Sequence, residues 1–272
     1  MSIAKEIFLR RSLIYELAQK ELKTRYRRPA LGFLWTFLSP FLMAVIFYVI
    51  FSLFLKINTG KTPFFLYLMT AVFSWGFFQE SVLASTTSLV ANKNLIRESN
   101  FPHYLIPVSI VVANLVNFLP SLLIIIIISL FMLKGASIFL LILPLVLLLQ
   151  TFITVGLAVI LSIIYVKWRD IKYILDTVLL FLFYSTPVFY SLQMVKETFS
   201  PKLFALYISN PFVGLLVLYR VAVLKGFLTE VQGYIKPAIF VLAPFLFALV
   251  VLLSASLLYR RNKTKINDYL SY

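Results

Sequence analysis

Apolar runs long enough to cross a bilayer follow one another along nearly the whole of this 272-residue chain. That leaves room for very few folds. A helix needs about 20 residues to cross ~30 Å of hydrocarbon. Six segments meet that length or approach it: 31–55, 63–90, 104–133, 137–166, 173–190 and 235–259. Lipid offers no partner to backbone N–H and C=O groups, so a spanning segment is a helix or a strand of a closed barrel. Barrel strands alternate apolar and polar residues over ~10 positions, whereas 122–133 is apolar almost throughout. The expected fold is an all-α polytopic membrane protein with six transmembrane helices. Only 13% of the residues are charged and the mean hydropathy is +0.97, so no separate catalytic domain fits beside six spans. The chain then divides as a single transmembrane domain: an N-terminal interface helix over 1–28, a bundle over 31–259 and a cytoplasmic tail over 260–272.

A net charge of +15 in a soluble chain would suggest nucleic acid. Here the distribution argues for a membrane instead. Seventeen of the 25 Lys and Arg residues fall in four groups: 5–28, Lys93 with Arg97, Lys167 with Arg169 and Lys172, and 260–265. If six spans alternate, all four groups share one side, which the positive-inside rule makes cytoplasmic. Both termini are then cytoplasmic. The short loops opposite hold only Lys56, Lys61 and Lys134. There is no cysteine, so no disulfide or thiol mechanism is available. The start of the chain is charged and shows no signal-peptide pattern.

Three segments interrupt the apolar runs. In the first, Ile3, Ile7, Ile14, Ala18 and Leu22 share about a 100° arc of a helix, with Lys and Arg over much of the remainder. Such a helix can lie in the membrane interface, or it is a plain basic arm that sets topology. In the second, 91–102 is long enough for two to three helical turns. Asn92 or Asn94 can cap it, and Phe101-Pro102 ends it. Leu95, Ile96 and Phe101 are apolar in an otherwise polar stretch, which suits a knob that docks into a soluble partner; the alternative is a connecting loop. In the third, 203–224 has the length of a seventh span, but Pro211 disfavours helix at Asn210. A seventh crossing would also carry the basic C-terminus across. Two short re-entrant helices joined at Asn210-Pro211 are expected, facing protein or a water-filled path.

Catalytic groupings are sparse. His103 is the only histidine and reads as an interfacial residue, so no metal site is expected. Gly60-Lys61-Thr62 imitates the end of a phosphate-binding loop, but Leu55 stands where that motif needs glycine. The chain therefore has no ATP site of its own. Lys172 and Asp176, spaced i, i+4, are expected to pair. Glu80 stands out. It lies about 16 Å in from the cytoplasmic end of its span. A carboxylate facing lipid there costs roughly 2.5–3.5 kcal/mol, so it faces the bundle interior or water. Either it lines a path or gate, or it makes a structural bond to Gln79 or to a Ser or Thr of a neighbouring helix. No basic partner in another span is evident.

The order of these pieces resembles the membrane subunit of ABC-2 type exporters, most closely the branch that exports O-antigen, capsular polysaccharide or teichoic acid. The resemblance runs through Lys20-Glu-Leu-Lys-Thr-Arg-Tyr-Arg-Arg28, Leu31-Gly-Phe-Leu-Trp35, Ser39-Pro40, Asn94-Leu-Ile-Arg97, Phe101-Pro102, Trp168-Arg-Asp170, Asn210-Pro-Phe212 and Tyr219-Arg220. It implies a homodimer in the bacterial cytoplasmic membrane, driven by two separate cytoplasmic ABC ATPase subunits that bind ATP and Mg, with no cofactor on this chain. It implies a lipid-linked glycan as substrate. Arg25, Arg27, Arg28, Leu31, Gly32 and Trp35 would form the entrance and gate, with Glu80 on the path. Asn92, Asn94, Leu95, Ile96, Arg97, Glu98 and Phe101 would couple to the ATPase, and Trp168, Arg169 and Asp170 would make a second contact. Asn210, Pro211, Tyr219 and Arg220 would sit at the exit. Two other classes remain: an ABC-2 exporter of a drug or small lipid, and a membrane enzyme acting on polyprenyl-linked sugars. The enzyme would need paired carboxylates in cytoplasmic loops, where only Glu98 and Asp170 are offered, in separate loops.

Overall fold

The computed structural model describes residues 10–26, 34–56, 62–98, 102–232 and 238–269. Within them every regular element is a helix. In order these are α1 (Arg11–Tyr26), α2 (Leu34–Phe47) with a π-helical last stretch (Tyr48–Phe54), α3 (Phe64–Ala91) and α4 (Lys93–Glu98). Next come α5 (Leu105–Met132), a 3-10 turn (Ile138–Ile142) running into α6 (Leu143–Lys167), and α7 (Ile171–Ser185). Four short helices follow: α8 (Leu192–Thr198), α9 (Pro201–Ile208), α10 (Pro211–Val223) and α11 (Phe227–Gln232). α12 (Ala238–Tyr269) closes the fold.

α3 is the axis of the bundle. It packs against α2, α5, α6, α7 and α10, and its first half, from Leu66 to Trp75, is buried on all sides. Its rings interlock with those of its neighbours: Phe78 with Phe212 at 4.7 Å and Phe77 stacked on Phe118 at 5.3 Å between centroids. Such pairs add to area burial when offset or edge-on. Small residues set the closest helix approaches, as in membrane bundles generally. A Cβ on Gly156 of α6 would lie 2.6 Å from Val251 Cγ1 of α12. A Cβ on Gly214 of α10 would lie 2.8 Å from the Phe240 carbonyl and 2.8 Å from the Pro244 ring.

By length and composition, four helical stretches among the described residues suit a membrane crossing: Phe37–Phe54, Leu105–Met132, Ile138–Lys167 and Ala238–Lys263. α9 and α10 together make a fifth if the pair, bent by 72°, counts as one span. Two of the six expected segments fall outside this set. α3 is long enough, at about 42 Å, but Gln79, Glu80 and its Ser and Thr residues lower its hydropathy; it lies amid other helices instead. α7 corrects the expected span 173–190. Its helix ends at Ser185 because Pro187 bars Thr186 from helical ψ, and Thr186 is extended at φ −101°, ψ 156°. Fifteen residues reach only about 22 Å.

The segment expected as a tail is helical through Tyr269. α12 continues through the basic run, with neither Gly nor Pro after Pro244 to stop it. Ile266 is buried beside Tyr259, Leu105 and Val166. Residues 260–269 are therefore helix, with Ile266 packed on the bundle and Arg260, Arg261 and Lys263 exposed.

Candidate functional site

The most polar feature of the bundle joins three helices. Arg25, near the end of α1, donates from Nη1 to Glu80 Oε1 of α3 at 2.5 Å and to Asn114 Oδ1 of α5 at 2.7 Å. Its Nη2 lies 3.7 Å from Glu21. α1 reaches this point by running alongside α5. Ile14 and Ala18 are buried on the bundle, Ile14 in the cluster that holds Tyr104 and Leu105 at the start of α5, and Arg25 meets Asn114 further in. The apolar arc expected for this helix is thus confirmed at Ile14 and Ala18, and it faces protein. Gln79, the structural partner considered for Glu80, bonds Trp75 Nε1 instead at 2.9 Å. Glu80 does have a basic partner, and it comes from outside the spans.

The Glu80 side chain is 57% exposed and lies on the least buried strip of α3, with half-buried Gly76, Leu83 and Thr87. A Cβ on Gly76 would meet nothing within 4 Å. An ion pair inside a membrane bundle faces water or protein rather than acyl chains. Asn114 Nδ2, both polar atoms of Asn117, and Ser81 Oγ are buried without a hydrogen-bond partner among the described residues. They extend a polar seam between α3 and α5. Asn114 and Asn117 were not anticipated; their i, i+3 spacing in an apolar run was the available signal.

At the basic end, α4 confirms a helix in 91–102 but rearranges its faces. Ile96 is 3% exposed and packs on the chain's own bundle, in the cluster that holds Leu89, Tyr104 and Leu105. Ile96 is therefore not part of an exposed knob. Lys93, Asn94 and Arg97 are exposed and Leu95 half-buried. Asn92 joins the two helices: its Nδ2 donates to Ser88 O at 3.0 Å, closing α3, and its carbonyl accepts from Ile96 N at the start of α4. Glu98 is the last residue of α4. Trp168 is 59% exposed with Lys167 Nζ 4.7 Å over its ring, and the Arg169 guanidinium lies 5.2 Å from the Tyr165 ring. Asp170 precedes α7 without a side-chain cap. Lys172 and Asp176 make no ion pair, contrary to the spacing argument. His103 is buried in the turn before α5, where burial and nearby Lys263 lower its pKa. Trp35, at the start of α2, is 47% exposed. Arg27, Arg28, Leu31, Gly32 and Phe101 lie outside the described residues.

At the opposite end the break at Asn210-Pro211 is as the sequence indicated. Asn210 Oδ1 accepts from Phe212 N at 2.9 Å and Pro211 opens α10, a residue pair suited to a helix start. α10 is fastened at every turn of its C-terminal half. Tyr219 Oη donates to Gln150 Oε1 of α6, and Gln150 Nε2 donates to Ser74 O of α3 at 2.7 Å. Ser137 and Ser129 hydroxyls donate to the Val221 and Val223 carbonyls at 2.8 and 2.9 Å, satisfying groups that a helix end leaves open. Arg220 is 1% exposed. Its guanidinium sits 3.3 Å from the Tyr67 ring centroid and donates to Tyr67 O at 3.2 Å and Val188 O at 3.0 Å. Tyr67 Oη in turn donates to Tyr190 O at 2.7 Å. Tyr67 and Gln150 are site neighbours that the sequence pattern did not single out.

A helical bundle with several membrane-length apolar helices, a charged pair joining three helices and exposed basic residues at one end has the make-up of a membrane transport subunit. The chain belongs to the ABC-2 type transporter family, whose profile it matches over residues 12–224. It is similar to an O-antigen export system permease protein RfbA of Myxococcus xanthus, 32% identical over 218 residues, covering 80% of this chain and 82% of the relative. Two such permeases of Klebsiella pneumoniae are 29% and 28% identical over 217 and 215 residues, each covering 79% of this chain and 82% or 81% of the relative.

Proposed function

We propose that the chain is the membrane-spanning half of an ATP-driven exporter that carries a lipid-linked polysaccharide of O-antigen, capsule or teichoic-acid type across the bacterial cytoplasmic membrane. The observation that carries this reading is the likeness, over four-fifths of the chain, to permeases named for O-antigen export. The basic end is cytoplasmic; α2, α3, α5, α6 and α12 cross the membrane, and α7, too short alone, makes a sixth crossing together with residues 186–190, so that both termini lie inside. Two copies enclose the path, since one bundle leaves the Glu80 strip open. Two ABC ATPase subunits supply the drive and hold ATP and Mg. We assign no nucleotide to this chain, in keeping with Leu55 where a phosphate-binding loop needs glycine; the Thr62 hydroxyl donates to Glu230 at 2.9 Å.

In this scheme Arg25, with Arg27 and Arg28, attracts the anionic headgroup at the inner interface. Each basic residue near such a surface is worth on the order of 1 kcal/mol. Leu31, Gly32 and Trp35 form the gate into the first span, and Glu80 lines the path. α4 seats in the ATPase through Lys93, Asn94, Leu95 and Arg97, with Trp168, Arg169 and Asp170 as a second contact. Asn210, Pro211, Tyr219 and Arg220 belong to an exit-side re-entrant pair. The test is deletion of the chain with mass spectrometry of the membrane lipids, together with co-purification. An accumulated lipid-linked glycan and a co-purifying ATPase are expected. Accumulation of no glycan, with loss of resistance to a small lipid or drug, would instead favour a different cargo.

A further inference from the structure

We propose that Glu80 is an internal stand-in for substrate: its carboxylate occupies an anion seat built by Arg25 and Asn114, and a phosphate-bearing lipid headgroup displaces it. The proposal rests on the reading above that an anionic lipid-linked substrate arrives at the basic end. Three observations carry it. First, the seat is built. Arg25 Nη1 is fixed from below by Asn114 Oδ1 at 2.7 Å and capped by Glu80 at 2.5 Å, while the buried Asn114 Nδ2 has no acceptor among the described residues. Guanidinium carries five donors in a planar fork, and the other contact of its Nη2 is Glu21, 3.7 Å away on the same helix. Among the described residues one carboxylate leaves this donor set unfilled, whereas a phosphate, with three oxygens and a bidentate match to Arg, fills it.

Second, the cap is the movable part. The Glu80 side chain is 57% exposed against 22% for Arg25, and the strip it lies on is open at Gly76. Glu80 can swing out while Arg25 stays anchored on Asn114. Third, the pair explains how an arginine is tolerated at this depth without substrate, because an unpaired cation there is costly. The consequence is selectivity. Ordinary phospholipid phosphates meet a seat already neutralised and guarded by a carboxylate, while a diphosphate brings more charge and more acceptors. Displacement also cuts the tie between α1 and α3, which turns headgroup arrival into release of the entrance helix.

The test uses the purified full chain in phosphatidylcholine nanodiscs, with farnesyl diphosphate as probe and farnesol and inorganic pyrophosphate as controls. Binding is read by calorimetry. Removing a part-exposed carboxylate competitor should tighten farnesyl diphosphate binding about fivefold in Glu80→Gln. Arg25→Gln should weaken it at least tenfold, with or without Glu80→Gln, and farnesol should distinguish none of the variants. Equal affinity of wild type and Glu80→Gln, or a gain that survives Arg25→Gln, overturns the proposal. Pyrophosphate binding as tightly as farnesyl diphosphate overturns the lipid assignment. A second measurement leaves Glu80 in place. The chain has no cysteine, so spin labels at Lys20→Cys and Leu83→Cys report the spacing of α1 and α3. That distance should lengthen with farnesyl diphosphate and not with farnesol; an unchanged distance at saturation overturns the release. Glycan accumulation on deletion, alongside equal affinities, would sink this proposal while leaving the function above intact.

Discussion

Replacing Arg220 by lysine should destabilise the protein more than replacing it by methionine. The reason lies in what the guanidinium touches. Arg220 is fully enclosed, makes no ion pair among the described residues, and is held by two carbonyls and the face of Tyr67. A charged hydrogen bond contributes about 1.5–3 kcal/mol, and a desolvated cation–π contact about 2 kcal/mol. Lysine keeps the buried charge and its desolvation cost of several kcal/mol. Its ammonium lacks the planar fork that meets Tyr67 O and Val188 O while stacking on the ring. Losing one such bond and part of the stacking costs about 3 kcal/mol. Methionine removes the desolvation cost along with the contacts. What remains is an unpartnered Val188 carbonyl, about 1–3 kcal/mol, since Tyr67 O keeps a place in the first turn of α3. The net loss for Arg220→Met is about 1–2 kcal/mol. SDS-induced unfolding of the purified chain, followed by circular dichroism, reads the order directly. Wild-type stability for Arg220→Lys, with a loss above about 3 kcal/mol for Arg220→Met, would refute the reasoning, because charge rather than fork geometry would then be what the site requires.

Gly214→Ala should cost about 1–2 kcal/mol: overpacking against the Phe240 carbonyl and Pro244 ring outweighs the ~1 kcal/mol of helix propensity gained. Gly76→Ala, with open space around it, should stabilise by up to ~1 kcal/mol in the same unfolding assay. If α4 seats in an ATPase, Leu95→Asp with Arg97→Glu should abolish co-purification while leaving the unfolding midpoint unchanged. Ile96→Asp should instead lower that midpoint by burying a carboxylate; a stable Ile96→Asp chain that merely loses the ATPase would contradict the packing seen here. His103 is held below its ordinary pKa of about 6.5, so the unfolded chain binds more protons as the pH falls below that value and stability declines with it. The difference between wild type and His103→Gln should therefore open below about pH 6.5; parallel pH profiles would remove His103 from the account.

The break at Asn210-Pro211 was legible because its cause is local: proline restricts the residue before it, and asparagine caps the helix after it. The end of α7 has the same local cause at Pro187, yet apolar composition through Tyr190 masked it. Ile96 was misjudged for a different reason. Apolar character says that a side chain seeks burial, but not whether its own bundle or a partner provides it. The missing partner of Glu80 illustrates the limit most sharply. Arg25 lies 55 residues away in sequence, in a helix expected to lie at the membrane surface, and no periodicity connects the two.

By itself the sequence determined the class of molecule. Runs of apolar residues must hydrogen-bond their own backbone in lipid, and the one-sided placement of Lys and Arg points to a topology; both effects act segment by segment. Only the tertiary structure decided which polar groups meet. It laid α1 along α5, so that Arg25 became the counter-ion of Glu80, and it folded α10 against α3, α6 and α12, so that Arg220 found carbonyls rather than an acid. Those choices depend on how helices distant in sequence pack, and close packing is a property of facing surfaces that no single segment carries.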